Sequence, residues 1–205
     1  MIKLFIPRSR FLLIGLGLLL VLGCTSSPAS RFYTLSSLQG GGNPKESPSD
    51  QSLTILVGPV KLPDYLDRAE IVARSGSNRI IVSDFDLWAG SLSEGFSQTI
   101  ATNLSVLLPA DSVIVYPRPR LSSVVYQVVV DVIRFDGPLG GDVSLIARWA
   151  ILEGKERKLV SVRKSSFVEP SGAQGYEAMV AADSRALEKL SREIAEAITK
   201  LLKSS

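Results

Sequence analysis

Residues 126–135 read YQVVVDVIRF, and the fold class follows from them. Val128, Val129, Val130, Val132 and Ile133 put apolar side chains on both faces of an extended chain, the pattern of a strand in the middle of a sheet. Beyond it the turn-forming run GPLGGD at 137–142 returns the chain into residues 143–152, where Val143, Leu145, Ala147, Trp149 and Ile151 alternate with Ser144, Ile146, Arg148 and Ala150. A charged loop at 153–158 leads to a further strand over 159–168. Short connections favour antiparallel neighbours, so these three segments predict a meander.

Working outward, Leu187, Leu190, Ile194, Ala197 and Leu201 step by three and four, with Ile198 and Leu202 widening the stripe. This predicts a long helix over 176–202 packed on the sheet, its polar side too poor in cations for a helix lying on a membrane. On the other side, Leu92, Phe96, Ile100, Leu104, Leu107 and Leu108 mark an earlier helix. Ser91 with Glu94 has the capping-box form and Pro109 stops it. Its polar face, with Ser93, Gln98, Thr102 and Ser105, is nearly uncharged, which suits a partner better than open solvent. Residues 31–35, 53–57, 80–82 and 113–116 read as strands. The expectation is a single α/β domain over 31–205, a mixed β-sheet with an antiparallel C-terminal meander and two main helices packed on it. Residues 39–52 (QGGGNPKESPSDQS) form a flexible loop within it.

The N-terminus is of another kind. Lys3, Arg8 and Arg10 precede twelve apolar or glycine residues, FLLIGLGLLLVL at 11–22. Twelve helical residues rise only about 18 Å, short of a bilayer core of about 30 Å, so residues 1–23 read as a secretory signal peptide rather than a permanent span. The whole chain has 23 Lys and Arg against 20 Asp and Glu; without Lys3, Arg8 and Arg10 the two are equal, so overall charge gives no reason to expect nucleic acid as a partner. The chain has no histidine and one cysteine, which excludes a Ser-His-Asp triad, a Cys-His pair and the common zinc sites. Neither glycine cluster has a phosphate-binding spacing. Asp84 with Asp86, and Asp64 with Asp67, could be imagined as acid/base or metal pairs, but aspartates in loops ordinarily serve turns. No enzyme, metal or cofactor is expected.

That single cysteine closes the run Val21-Leu22-Gly23-Cys24, which resembles the lipobox of bacterial lipoproteins. The resemblance implies cleavage before Cys24, a diacylglycerol on its thiol and an acyl chain on its amine. Several acyl chains meet the two-signal requirement for stable anchoring. Thr25 stands where Asp would imply retention in the inner membrane, so the resemblance points to the outer one. Residues 24–30 then form a polar tether.

One more stretch stands out, VGPVKLPDYLDRAEIV at 57–72. Two prolines stiffen a loop that offers Tyr65, Leu66 and Arg68, residue types that suit a protein contact. The same residues equally suit a rigid connector whose Tyr and Leu fold back onto the core. With Arg31-Phe32-Tyr33-Thr34-Leu35, Asp86-Leu87-Trp88-Ala89, Tyr116-Pro117 and the meander, this stretch forms an ordered set that resembles the PqiC/YmbA family. These are auxiliary lipoproteins of ABC-type and MCE-type lipid transport systems. Gly90-Ser91 stands where that family usually has Glu-Pro, and Ala69 where Pro is common.

The resemblance implies a periplasm-facing, outer-membrane lipoprotein. Its partners would be an MCE-domain protein that spans the periplasm and an inner-membrane transporter component. On that basis Tyr65, Leu66, Arg68 and Trp88 are candidate partner-binding residues, with a neighbouring copy as another possible occupant. The competing expectation is a lipoprotein that carries a hydrophobic ligand itself, in a cavity between helix and sheet.

Overall fold

A computed structural model describes residues 28–39, 53–117, 124–154 and 156–204. The signal segment 1–23, Cys24 with most of its tether, and all but the first residue of the loop 39–52 lie outside the described residues.

The elements in chain order are β1 (Arg31–Tyr33), β2 (Thr54–Lys61), β3 (Glu70–Arg74), β4 (Ile80–Trp88), α1 (Leu92–Leu107), β5 (Ser112–Val115), β6 (Tyr126–Asp136), β7 (Asp142–Glu153), β8 (Lys158–Pro170) and α2 (Tyr176–Ser204). The α/β class holds, with its strands divided between two sheets. Five strands in the order β5-β2-β6-β7-β8 form the larger sheet, and three in the order β1-β4-β3 form the smaller. β2 runs parallel to both β5 and β6, whereas β6, β7 and β8 form the antiparallel meander. The valine-rich strand β6 is therefore central, as its pattern predicts.

α1 packs on β2 and β5, α2 packs on β7 and β8, and the two helices pack on each other. Their shared core takes Val128, Val130 and Val132 from β6, Leu145, Ala147, Trp149 and Ile151 from β7, Phe96, Ile100 and Leu104 from α1, and Leu187, Leu190, Ile194 and Ile198 from α2. Phe96 meets Phe135 edge to face, ring centroids 5.2 Å apart. The buried Trp149 donates its indole N–H to Ser165 Oγ at 2.8 Å. Ser91 caps α1, accepting from the Glu94 amide, and the helix ends at Leu107, just before Pro109. The apolar stripe of α2 is buried from Met179 to Ile198, while Leu202, read as part of it, is exposed beyond the sheet edge.

Two local readings change. β2 does not stop before Gly58-Pro59 but continues to Lys61, because a register shift between Val57 and Val60 absorbs the proline. Gly58 has φ +109°, and a Cβ there would crowd that of Tyr116 at 3.2 Å, so glycine is required. Downstream, β3 lies inside what reads as loop, and β4 extends through Asp86 to Trp88. Short strands with a bulge lack the clean alternation that identifies a strand in sequence.

Candidate interaction surfaces

Two buried carboxylates organise the small sheet, Asp86 joining β1 to β4 within it and Asp136 joining it and the loop before it to the large sheet. Asp86 on β4 receives Arg31 Nε at 2.7 Å and Nη2 at 2.9 Å, Tyr33 Oη at 2.8 Å and Ser83 Oγ at 2.9 Å. Burial pushes its carboxyl up, but these donors together outweigh burial and hold it below the ordinary value. Asp136, at the end of β6, receives both Arg74 Nε and Nη2, Tyr65 Oη at 2.7 Å and Arg134 Nε at 2.9 Å. The balance there has the same sign: burial raises the carboxyl, and hydrogen bonds from Arg74, Tyr65 and Arg134 bring it below its usual range. The Tyr65 hydroxyl, desolvated by burial and bonded to that carboxylate, is pushed up to about 12.

This geometry decides between the two readings of the loop at 57–72. Leu66 is buried in the core and Tyr65 spends its hydroxyl on Asp136, so both fold back as a connector would. Trp88 is also buried in the core. Of the four candidate contact residues Arg68 is exposed and Tyr65 half-buried, whereas Leu66 and Trp88 are buried. The physical reason is one of supply: two short sheets need apolar cover at their junction, and Tyr65, Leu66 and Trp88 provide it. Asp84 and Asp86 point apart, one exposed and one buried in its hydrogen bonds, while Asp64 and Asp67 are exposed. Among the described residues no cluster of acids has the arrangement of a metal site. Cys24 lies outside the described residues.

The exposed side of α1 is as weakly charged as its sequence predicts, with Gln98 and Ser105 in solvent. Part of the remainder is occupied. Asn103, buried between the helices, donates to Ser191 Oγ at 3.0 Å and accepts the Leu38 amide at 2.7 Å; Ser184 Oγ accepts the Ser36 amide at 3.0 Å. The segment after β1 is thus laced to α1 and α2 by its backbone.

A larger feature is the other face of the five-stranded sheet, which neither helix covers. Val129, Ala150 and Val162 stand in register across β6, β7 and β8 as an apolar row, with Val162 61% exposed. Pro59 and Lys61 help them line a shallow depression of about 250 Å³. The next row is charged, Lys61, Asp131, Arg148 and Lys164, three cations to one acid. Farther along, Val168 is 56% exposed opposite Ser144. The doubly apolar pattern of β6 leads one to expect cover on both faces; among the described residues the helices provide it on one. A further buried group, Asp183 on α2, sits beside Ala182 with no hydrogen bond to Oδ1 among the described residues. Burial, then the charge of Asp136, holds its carboxyl well above the ordinary range. Its signal in the sequence is its place four residues before Leu187, on the apolar stripe.

These features define an α/β domain with two helices on one side of an antiparallel-ended sheet and an open, mixed apolar and cationic surface on the other. The pattern of the family described as ABC-type transport auxiliary lipoprotein component matches residues 33–195, and the chain belongs to this family. It is 28% identical over 140 residues to the intermembrane transport lipoprotein PqiC of Escherichia coli, covering 68% of this chain and 72% of that one. The PqiC of Shigella flexneri matches to the same extent. The fold is shared with a crystal structure of a Xanthomonas campestris protein, TM-score 0.65 at 18% identity, covering 85% of this chain and 99% of that one. A second crystal structure, of an uncharacterized protein, superposes with TM-score 0.68 at 22% identity over 83% and 99% of the two chains. The chain is accordingly an auxiliary lipoprotein of a transport system, associated with a membrane.

Proposed function

We propose that the chain is a docking subunit, without catalytic activity, of an MCE/ABC-type intermembrane lipid transport system. After loss of residues 1–23 it is held at the periplasmic side of the outer membrane by acyl chains on Cys24. It joins an MCE-domain protein and, through it, an inner-membrane transporter component. The observation that carries this reading is the uncovered face of the large sheet, where the row Val129, Ala150, Val162 lies beside Lys61, Arg148 and Lys164. Apolar residues flanked by cations suit a partner that brings its own apolar residues and carboxylates.

The alternative, a lipoprotein that carries a hydrophobic ligand itself, has less support. The layer between helices and sheet is filled by side chains of almost no exposure, Ile55, Val57, Phe96, Ile100, Leu187 and Ile194 among them. Val162→Asp with Lys164→Glu, made in the full lipidated chain, tests the docking reading by co-purification with an MCE-domain protein of the same cell. Loss of recovery at unchanged thermal stability is expected. Undiminished recovery would refute the role of this face, and stoichiometric phospholipid in an extract of the purified chain would favour the carrier.

A further inference from the structure

The small sheet has an outer face as well, with a different composition. Arg31 pairs with Asp86 and Tyr33 with Trp88 in the parallel β1–β4 ladder; Asp86 and Trp88 are buried, Tyr33 is half-buried, and Arg31 reaches Asp86 with its own side chain still mostly in solvent. Phe32 pairs with Leu87 and so stands on the opposite side, where it is 65% exposed. Phe85, on the bulged part of β4 between the exposed Asp84 and the buried Asp86, is 36% exposed. The two bonds from Arg31 to Asp86 tie β1 to β4 next to the Phe32–Leu87 pair. Glu70, opposite Leu87 on β3, bounds the patch on the side away from β1.

Chain order adds the decisive constraint. Phe32 follows Cys24 by eight residues, and a fully extended chain of that length reaches at most about 29 Å. The described chain begins at Pro28, four residues before Phe32, and residues 28–30 are exposed. From these observations we propose that the outer face of the small sheet, with Phe32 and Phe85, rests in the interfacial layer of the bilayer that holds the lipid anchor. The proposal depends on the anchor at Cys24 proposed above. Its occupant is a phospholipid surface, because a tether of at most about 29 Å keeps this face within reach of one. Exposed phenylalanines next to an acyl anchor add buried apolar area to it and restrict the tilt of the domain. The cationic face of the large sheet then keeps a defined orientation relative to the membrane.

The test uses the lipidated full-length mature chain. Cys24 is the sole cysteine and its sulfur is consumed by the diacylglycerol, so Phe32→Cys introduces one free thiol for an environment-sensitive fluorophore. Val162→Cys on the large sheet serves as the water-exposed reference. Both are reconstituted into vesicles of phosphatidylethanolamine and phosphatidylglycerol carrying headgroup-proximal spin-labelled lipid. The expected result is a blue shift and severalfold stronger quenching for the label at 32 than at 162. If the protein floats with the vesicles but the label at 32 stays in water, the face proposal fails and the anchor stands. A chain that does not float, and takes up a second label at Cys24, defeats the anchor and the face together. A blue shift that follows protein concentration and not lipid would assign the face to a second copy and overturn the proposal.

Discussion

Arg74 and Asp136 meet through two parallel hydrogen bonds, Nε to Oδ1 at 2.8 Å and Nη2 to Oδ2 at 2.7 Å, and so join the last residue of a short edge strand to the end of the central one. The carboxylate side chain is fully buried and the guanidinium one-fifth exposed. A planar fork on a planar carboxylate is directional as well as strong, and with the Arg74 amide bond to the Gly137 carbonyl it fastens the small sheet to the large one. Removing one partner strands the other, so Arg74→Ala is expected to destabilise the fold by about 3 kcal/mol in urea titration, with Arg134 and Tyr65 limiting the loss. Arg74→Lys should recover little of it, since an ammonium cannot make the paired contact.

Tyr65 separates structure from contact. Tyr65→Phe deletes a single hydrogen bond to a charged acceptor and is expected to lower stability by about 1.5–3 kcal/mol. Recovery of the transport partner at low temperature should be unaffected. Lost recovery with unchanged stability would restore Tyr65 as a contact residue.

The two neighbours of that loop position should diverge. Leu66, buried in the core, is expected to cost about 2–5 kcal/mol when replaced by Ala. Arg68, exposed, should change stability by no more than about 0.5 kcal/mol on the same replacement. Thermal melts of both variants check this.

Acid should unfold the protein through Asp86 and Asp136. Their folded carboxyls lie below the ordinary 3.8, so each contributes stability that is complete above that value and lost as pH falls through the folded one. Asp136→Asn should remove part of this acid limb in a series of urea titrations across pH.

Asp183 works in the opposite sense. Its folded carboxyl titrates well above 3.8, so the folded chain binds more protons than the unfolded one over that interval. Stability must then decrease as pH rises from the unfolded value toward the folded value, by up to about 1.4 kcal/mol per pH unit. Asp183→Asn, which cannot ionise, is expected to flatten this slope and to be the more stable protein at the alkaline end. An unchanged slope would show that the carboxyl has access to water.

Much of this molecule was legible from side-chain periodicity. The valines of β6 placed it in the centre of the sheet, the alternation in β7 gave the meander, and the leucines of α1 and α2 gave both helices nearly to the residue. The small sheet was not legible, because three- and five-residue strands carry too little pattern and β4 is bulged. That Leu66 and Trp88 are buried and Tyr65 half-buried was not legible for a related reason. Tyr65, Leu66 and Trp88 have the composition of an interface, and composition does not distinguish a side chain that meets a partner from one that meets its own core.

The sequence by itself determined the α/β class, the two amphipathic helices, the absence of histidine chemistry and a single cysteine behind an apolar leader, since each depends on residue identity and local spacing. Tertiary structure decided which face of the large sheet stays open, which aspartates are held by arginine, and that Phe32 points away from the core beside the tether. The long-range part of those outcomes depends on partners such as Arg31 and Asp86, 55 residues apart, and Tyr65 and Asp136, 71 apart, and no local pattern encodes where such partners meet.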